Sequence, residues 1–218
     1  MQLSAEIRWF WQDDPPAGLE SWFKHSNIGI YAPGGGGTDP RVDEYFRDPG
    51  QRELGLKIRG KANHGIETKG LVAAEMGELS TEPFTGAIEL WCKWISAPLE
   101  LKPGSTIAIH KWRLLRKFDA SGSSLREIEL AGEMPKDQDA PLPEHGCNVE
   151  LTRIEIPANG QTWWTLGFES FGTITTVAED LRSTAETLAA RHPPILDGGL
   201  PASYPAWLEE RILPALED

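Results

Sequence analysis

Apolar and polar residues alternate with a period of two through residue 171, and this constrains the fold more than any other feature of the chain. The stretch "LGLKIR", 54 to 59, shows it plainly: Leu54, Leu56 and Ile58 on one face, Lys57 and Arg59 on the other. Eight segments carry this pattern. They run from Leu3 to Trp11, Glu53 to Gly60, Gly65 to Val72, 87–95, 106–118, 124–131, 147–156 and 162–171. Turn residues such as "KPGS", "ASGS" and "PANG" separate most of them. After residue 171 the period becomes helical. Val177, Leu181, Ala185 and Leu188 share one stripe that Pro193 and Pro194 terminate, and a second short helix is expected from Ala206 to Leu213. "LESWFKH", 19 to 25, reads as a further helix between the first two strands.

Eight mostly antiparallel strands on short connections predict a closed barrel or a sandwich. The fold class is therefore mainly β with accessory helices (α+β). One domain is expected over 1–218, with the barrel in 1–171 and helices in 172–218. A closed barrel of eight strands has room inside for side chains or one small ligand. The net charge of -12 argues against a basic surface that would bind a nucleic-acid duplex. No apolar window is long enough to span a membrane, and "MQLSAEIRWFW" lacks the basic and apolar regions of a signal peptide. Cys92 and Cys147 form neither a metal-ligand spacing nor a disulfide framework. A cytoplasmic location is the expectation.

Strand register decides which side chains line a barrel. Lys57 and Arg59 share a face; so do Glu67 and Lys69; Glu89, Trp91 and Lys93; Lys111 and Arg113; and Glu6, Arg8 and Phe10. An outer, solvated face would show charges two apart as well. The opposite faces, however, are mixed rather than uniformly apolar. Strand 106–118 places Thr106, Ala108, His110, Trp112, Leu114 and Arg116 there, so both faces look partly buried. The charges on these faces are mostly basic in an acidic protein. Converging lysines and arginines make an anion site, with arginine offering a planar fork to phosphate oxygens.

The run "DEYFRDPGQRELGLKIRG" resembles the turn and strand of the CYTH superfamily, the triphosphate tunnel enzymes of the adenylate cyclase and thiamine triphosphatase type. "IETKGL" is similar to that family's next strand, with its phosphate-binding lysine at Lys69. "IHKWRLLRKF" resembles the strand whose basic pair falls on Lys111 and Arg113, and "VELTRIEIPANGQTWWTLGFES" its closing hairpin. The resemblance implies an eight-stranded antiparallel CYTH-like tunnel barrel with C-terminal helices. It implies that Arg59, Lys69, Lys111 and Arg113 bind substrate; Lys57, on the Arg59 face, joins that grip, and Arg8 is an added cation. It implies catalytic carboxylates at Glu6 and Glu169, and Mg²⁺ or Mn²⁺ held by Glu6, Glu169 and Glu150. The chemistry would be hydrolysis of a triphosphate through a metal-activated water. The acidic half of the pattern departs from the family. In place of Glu-x-Glu-x-Lys the first strand reads Glu6-Ile7-Arg8-Trp9-Phe10; the last strand reads Gly167-Phe168-Glu169 where the family has Glu-x-Glu; and Thr152 stands where it has Asp.

Three readings follow. One is metal-dependent hydrolysis of a phosphate-rich anion, such as a phosphorylated small molecule or polyphosphate. A second is binding without catalysis, with Arg8 supplying the charge of a lost metal. A third is a structural or partner-binding barrel whose tunnel is closed by tryptophan and phenylalanine, which an inward Phe10 would favour. Gly34–Gly37 lacks the Gly-Lys-Ser/Thr of a phosphate loop and reads as linker or lid. Tyr204 and Trp207 read as anchors that dock the last helix.

Overall fold

The computed structural model describes residues 1–25, 40–47, 52–59, 65–96, 105–131, 134–135, 137 and 142–216. The Gly34–Gly37 run lies outside them. In chain order the elements are β1 (Gln2–Gln12), α1 (Leu19–Lys24), β2 (Arg41–Phe46), β3 (Leu54–Arg59), β4 (Ile66–Ala73), β5 (Glu78–Thr81), β6 (Phe84–Ala87), β7 (Glu89–Ile95) and β8 (Thr106–Asp119). Then come β9 (Arg126–Ile128), β10 (Leu130–Ala131), β11 (Met134–Pro135), β12 (Gly146–Ile156), β13 (Gln161–Phe171), α2 (Val177–Ala189), β14 (Leu200–Pro201) and α3 (Tyr204–Trp207). A π-helical turn at Leu208–Ile212 and a 3₁₀ turn at Pro214–Leu216 follow. No helix among the described residues is long and apolar enough to cross a membrane.

The main sheet closes. Its order is β12-β13-β1-β7-β4-β3-β2-β8, and β8 pairs back onto β12. Every one of these pairings is antiparallel. The count of eight strands matches the expectation, but one member differs. Segment 124–131 is not a barrel stave: β9 pairs only with the end of β8, and β10 pairs with β11. Its place is taken by β2, which sits between β3 and β8. Sequence pattern hides β2 because its buried face carries Asp43 beside Tyr45, while its other face carries Val42, Glu44 and Phe46. A buried aspartate reads as a turn unless its cationic partners are known. The hairpin β5–β6 was likewise unforeseen.

Two apolar clusters hold this barrel. Outside, Ala5, Ile7, Trp9 and Trp11 from the odd face of β1 pack with Val149, Leu151, Leu166 and Phe168, beneath α2, α1 and the β5–β6 hairpin. Helix α2 contributes Val177, Leu181, Ala185 and Leu188, the stripe expected from its spacing. Both faces of β1 are buried. Inside, one end of the barrel is filled by Phe10, Tyr45, Ile107, Ile109, Ile154 and Trp163 against Trp207, Leu208 and Ile212. Phe10 stacks on Trp207 with ring centroids 4.7 Å apart, and Trp163 meets Trp207 edge-on at 5.6 Å. The C-terminal segment is thus a plug. It is tied along β1 by β14, by Ala202 N–H donating to Arg8 O at 3.1 Å, and by Trp11 Nε1 donating to Asp197 O at 3.0 Å.

Candidate anion site in the barrel interior

Inward-facing side chains follow from the register. Glu6 on β1 lies opposite Glu89 on β7 and Glu169 on β13, and Glu169 lies opposite Asn148 on β12. One step deeper, Arg8 lies opposite Gly167, which lies opposite Glu150, which lies opposite Leu115. On the other wall, Lys57 lies opposite Glu67, and Lys69 opposite both Gly55 and Lys93. The expected inward faces of all five charged strands line the cavity, as the pairing register places them.

Above the plug these residues enclose a cavity of about 210 Å³, lined by every expected site residue: Glu6, Arg8, Lys57, Arg59, Lys69, Lys111, Arg113, Glu150 and Glu169. Nine lysines and arginines face it, against five glutamates. Burial grades along it. Lys111, Arg8 and Arg113 are almost fully enclosed, Lys57, Lys69 and Lys93 partly, and the Arg59 side chain is 43% exposed at the mouth.

The cations share their carboxylates. Asp43, wholly buried at the base, receives Arg41 at 3.0 Å, Lys111 at 3.2 Å and Lys57 at 3.5 Å. Burial alone would push the Asp43 carboxyl up; Lys111, Lys57 and Arg41 reverse this and hold it well below the usual range. Glu67 takes Lys57 at 3.1 Å and Arg59 at 3.0 Å, which bring it down to about 2 despite its burial. Glu150 takes Arg113 at 2.7 Å and Arg8 at 3.8 Å; it too ends below its ordinary value although burial opposes this. Glu6 behaves differently. Its burial raises it, Lys69 partly offsets that, and the negative charge of Glu169 raises it again. Lys111 is pulled well below the usual lysine value by burial, against the attraction of Asp43. Its ammonium donates to Tyr45 Oη at 2.7 Å and lies 3.9 Å from the centroid of the Tyr204 ring.

Some cavity residues escaped sequence reading. Arg41, Asp43 and Tyr45 share the inward face of β2, the strand whose buried aspartate breaks the apolar pattern. Lys93 shared a recognised face with Glu89 and Trp91 but was not carried into the site. Tyr204 gave no local signal. It is more than a packing anchor: it stacks at 6.0 Å on Tyr45, lies 4.8 Å under the Arg8 guanidinium and lines the cavity floor. Several polar atoms here are buried without a hydrogen-bond partner, among them Arg41 Nη1, Thr152 Oγ1 and Asn148 Oδ1.

No family model and no curated protein matches the chain. A solved structure of S. pombe Pct1 RNA triphosphatase in complex with the Spt5 CTD is similar at 10% identity, over 87% of this chain and 78% of that chain, with a TM-score of 0.35. At that level no residue role transfers. What the barrel itself displays is eight antiparallel strands closed on a charged interior, with the basic positions of the motif strands converging in one cavity. The fold is a closed eight-stranded antiparallel β-barrel.

The sequence resemblance implies Mg²⁺ or Mn²⁺ on Glu6, Glu169 and Glu150. Hard cations need several oxygen ligands gathered at one point. Glu6 accepts from Lys69 and from Ser4 Oγ at 2.5 Å; Glu169 pairs with Lys93 at 3.7 Å. Glu150 is one step deeper, at the level of Arg8, and engaged by Arg113. Among the described residues no three carboxylate, histidine or cysteine side chains gather at one point. As these side chains stand, Glu6, Glu169 and Glu150 do not make a divalent-cation cage.

Proposed function

We propose that this barrel binds a phosphate-rich anion, a phosphorylated small molecule or the end of a polyphosphate chain, in its interior cavity. The observation that carries the reading is the excess of nine lysine and arginine side chains over six carboxylates, the five glutamates of the lining and Asp43 at its base, in one enclosed cavity of an acidic protein. Buried cations are costly unless neutralised. The carboxylates here are shared two and three ways, so an anion entering the cavity completes the neutralisation. Arg41 Nη1 and Thr152 Oγ1 are donors available to its oxygens. The plug makes the cavity blind, so the anion enters from the Arg59 end and meets Lys111, Arg8 and Arg113 last.

In this reading Lys57, Arg59 and Lys69 draw the anion in, and Arg8, Lys111 and Arg113 grip its inner phosphate. Hydrolysis, with Glu6 and Glu169 as the catalytic carboxylates, is the further possibility that the sequence resemblance raises. The test is calorimetric titration of the purified chain with tripolyphosphate and with ATP, and assay of released phosphate with Mg²⁺ or Mn²⁺ in the same samples. The expected result is binding that a Lys111→Met, Arg113→Met double substitution weakens by about tenfold or more. Absence of binding by both anions overturns the reading, and the charges are then an internal salt-bridge network. Phosphate release that depends on the metal and on Glu6 would make it an enzyme.

A further inference from the structure

Arg8 and Gly167 are directly opposed on neighbouring strands, at the two positions where the CYTH motifs carry carboxylates. They are also sterically coupled. A Cβ added at Gly167 would stand 2.4 Å from the Arg8 guanidinium carbon and 2.6 and 2.7 Å from its two terminal nitrogens. The guanidinium therefore occupies the space a side chain at 167 would need. It is held there by Nη1 donating to Thr165 Oγ1 at 3.3 Å, by the Tyr204 ring beneath it and by Glu150, whose 3.8 Å separation is a loose ion pair. Arg8 is 7% exposed, and it lines the cavity.

Charge accounting gives this pairing a meaning. Two carboxylates with one divalent ion sum to zero at these two positions; Arg8 with Gly167 sums to one positive charge, and Glu150, 3.8 Å away, is already engaged by Arg113. The two motif carboxylates that remain have lysine partners: Glu6 with Lys69, Glu169 with Lys93. We propose that the guanidinium of Arg8, seated over Gly167, takes the place of the divalent cation, so that the cavity binds its phosphate-rich anion without metal. This rests on the anion reading above. A planar fork that cannot lose its proton suits the role, because it presents fixed donors to a phosphate whatever the metal supply.

The experiment is tripolyphosphate calorimetry on the wild-type chain in chelator and in excess Mg²⁺, with Mn²⁺ binding to the protein alone followed by electron paramagnetic resonance. The expected result is binding in chelator at least as tight as in Mg²⁺, which competes for the anion, and no protein-bound Mn²⁺ signal. Arg8→Gln should weaken binding in chelator by about tenfold or more. Gly167→Ala keeps the charge but displaces the guanidinium, whose flexible stem can move, and should weaken binding while the barrel remains folded by circular dichroism. Arg8→Glu should create a Mn²⁺ signal that the wild type lacks. Binding that requires Mg²⁺ overturns this inference and leaves the anion reading standing. So does undiminished affinity in both Arg8→Gln and Gly167→Ala. No tripolyphosphate binding in either buffer overturns both.

Discussion

Asp43 shows how a single side chain can organise an interior. Three cations, Arg41, Lys57 and Lys111, converge on a carboxylate with no solvent exposure. Removing one partner of a buried charged cluster strands the others in a low dielectric, which costs about 3–5 kcal/mol. Asp43→Ala should lower unfolding free energy by that order in urea denaturation. Adding Lys111→Met should restore part of it, because one of the stranded charges is then gone. A loss under about 1 kcal/mol in the single variant would mean the cations are solvated and the cavity is wetter than its geometry indicates.

At the scale of elements, the C-terminal segment determines whether the barrel is a channel or a pocket. Ser203 caps α3 by accepting from Ala206 N–H at 3.4 Å, and this turns Trp207 onto Phe10 and Trp163. Trp207 is fully buried. Trp207→Ala should cost about 3–5 kcal/mol, the range for deleting a large buried aromatic, read as a shift in urea midpoint at unchanged slope. A smaller cost with an unchanged midpoint would show the plug to be dispensable for the barrel. The same scale explains which strands sequence reading found. Strands with one apolar face, such as β12 and β13, declare themselves. Strand β2, whose buried face carries an aspartate, does not, and 124–131 alternates like a stave although β9 reaches only the end of β8.

For the whole molecule, the interior ion pairs set the acid limit of stability. Glu67 falls from an ordinary 4.5 to about 2, with Asp43 and Glu150 also held below their ordinary values. A carboxyl depressed in the native state resists protons there while the unfolded chain takes them up. Its contribution is fully present above the unfolded value and is lost as pH falls toward the folded one. Glu6 and Glu89 are raised instead, chiefly by burial, and work in the opposite sense. The depressed groups lie in the densest cation clusters, so melting temperature should fall as pH drops from about 4.5 to about 2. A Glu67→Gln variant should show a shallower fall. A melting temperature that stays flat across that window would mean these pairs form equally in the unfolded chain.

By itself the sequence determined most of the period-two staves, the amphipathic stripe of α2 and which charges share a strand face, Glu6 with Arg8, Lys57 with Arg59 and Lys111 with Arg113, because side-chain alternation in a strand is a local property; that these faces turn inward was settled by closure of the sheet. Only the tertiary structure decided that β2 completes the barrel, that Asp43 gathers three cations, that Tyr204 and Trp207 seal one end, and that Gly167 leaves room for the Arg8 guanidinium. Those outcomes depend on contacts such as that of Arg8 with Tyr204, between residues far apart in the chain. No local pattern encodes which distant partners a closing sheet brings face to face.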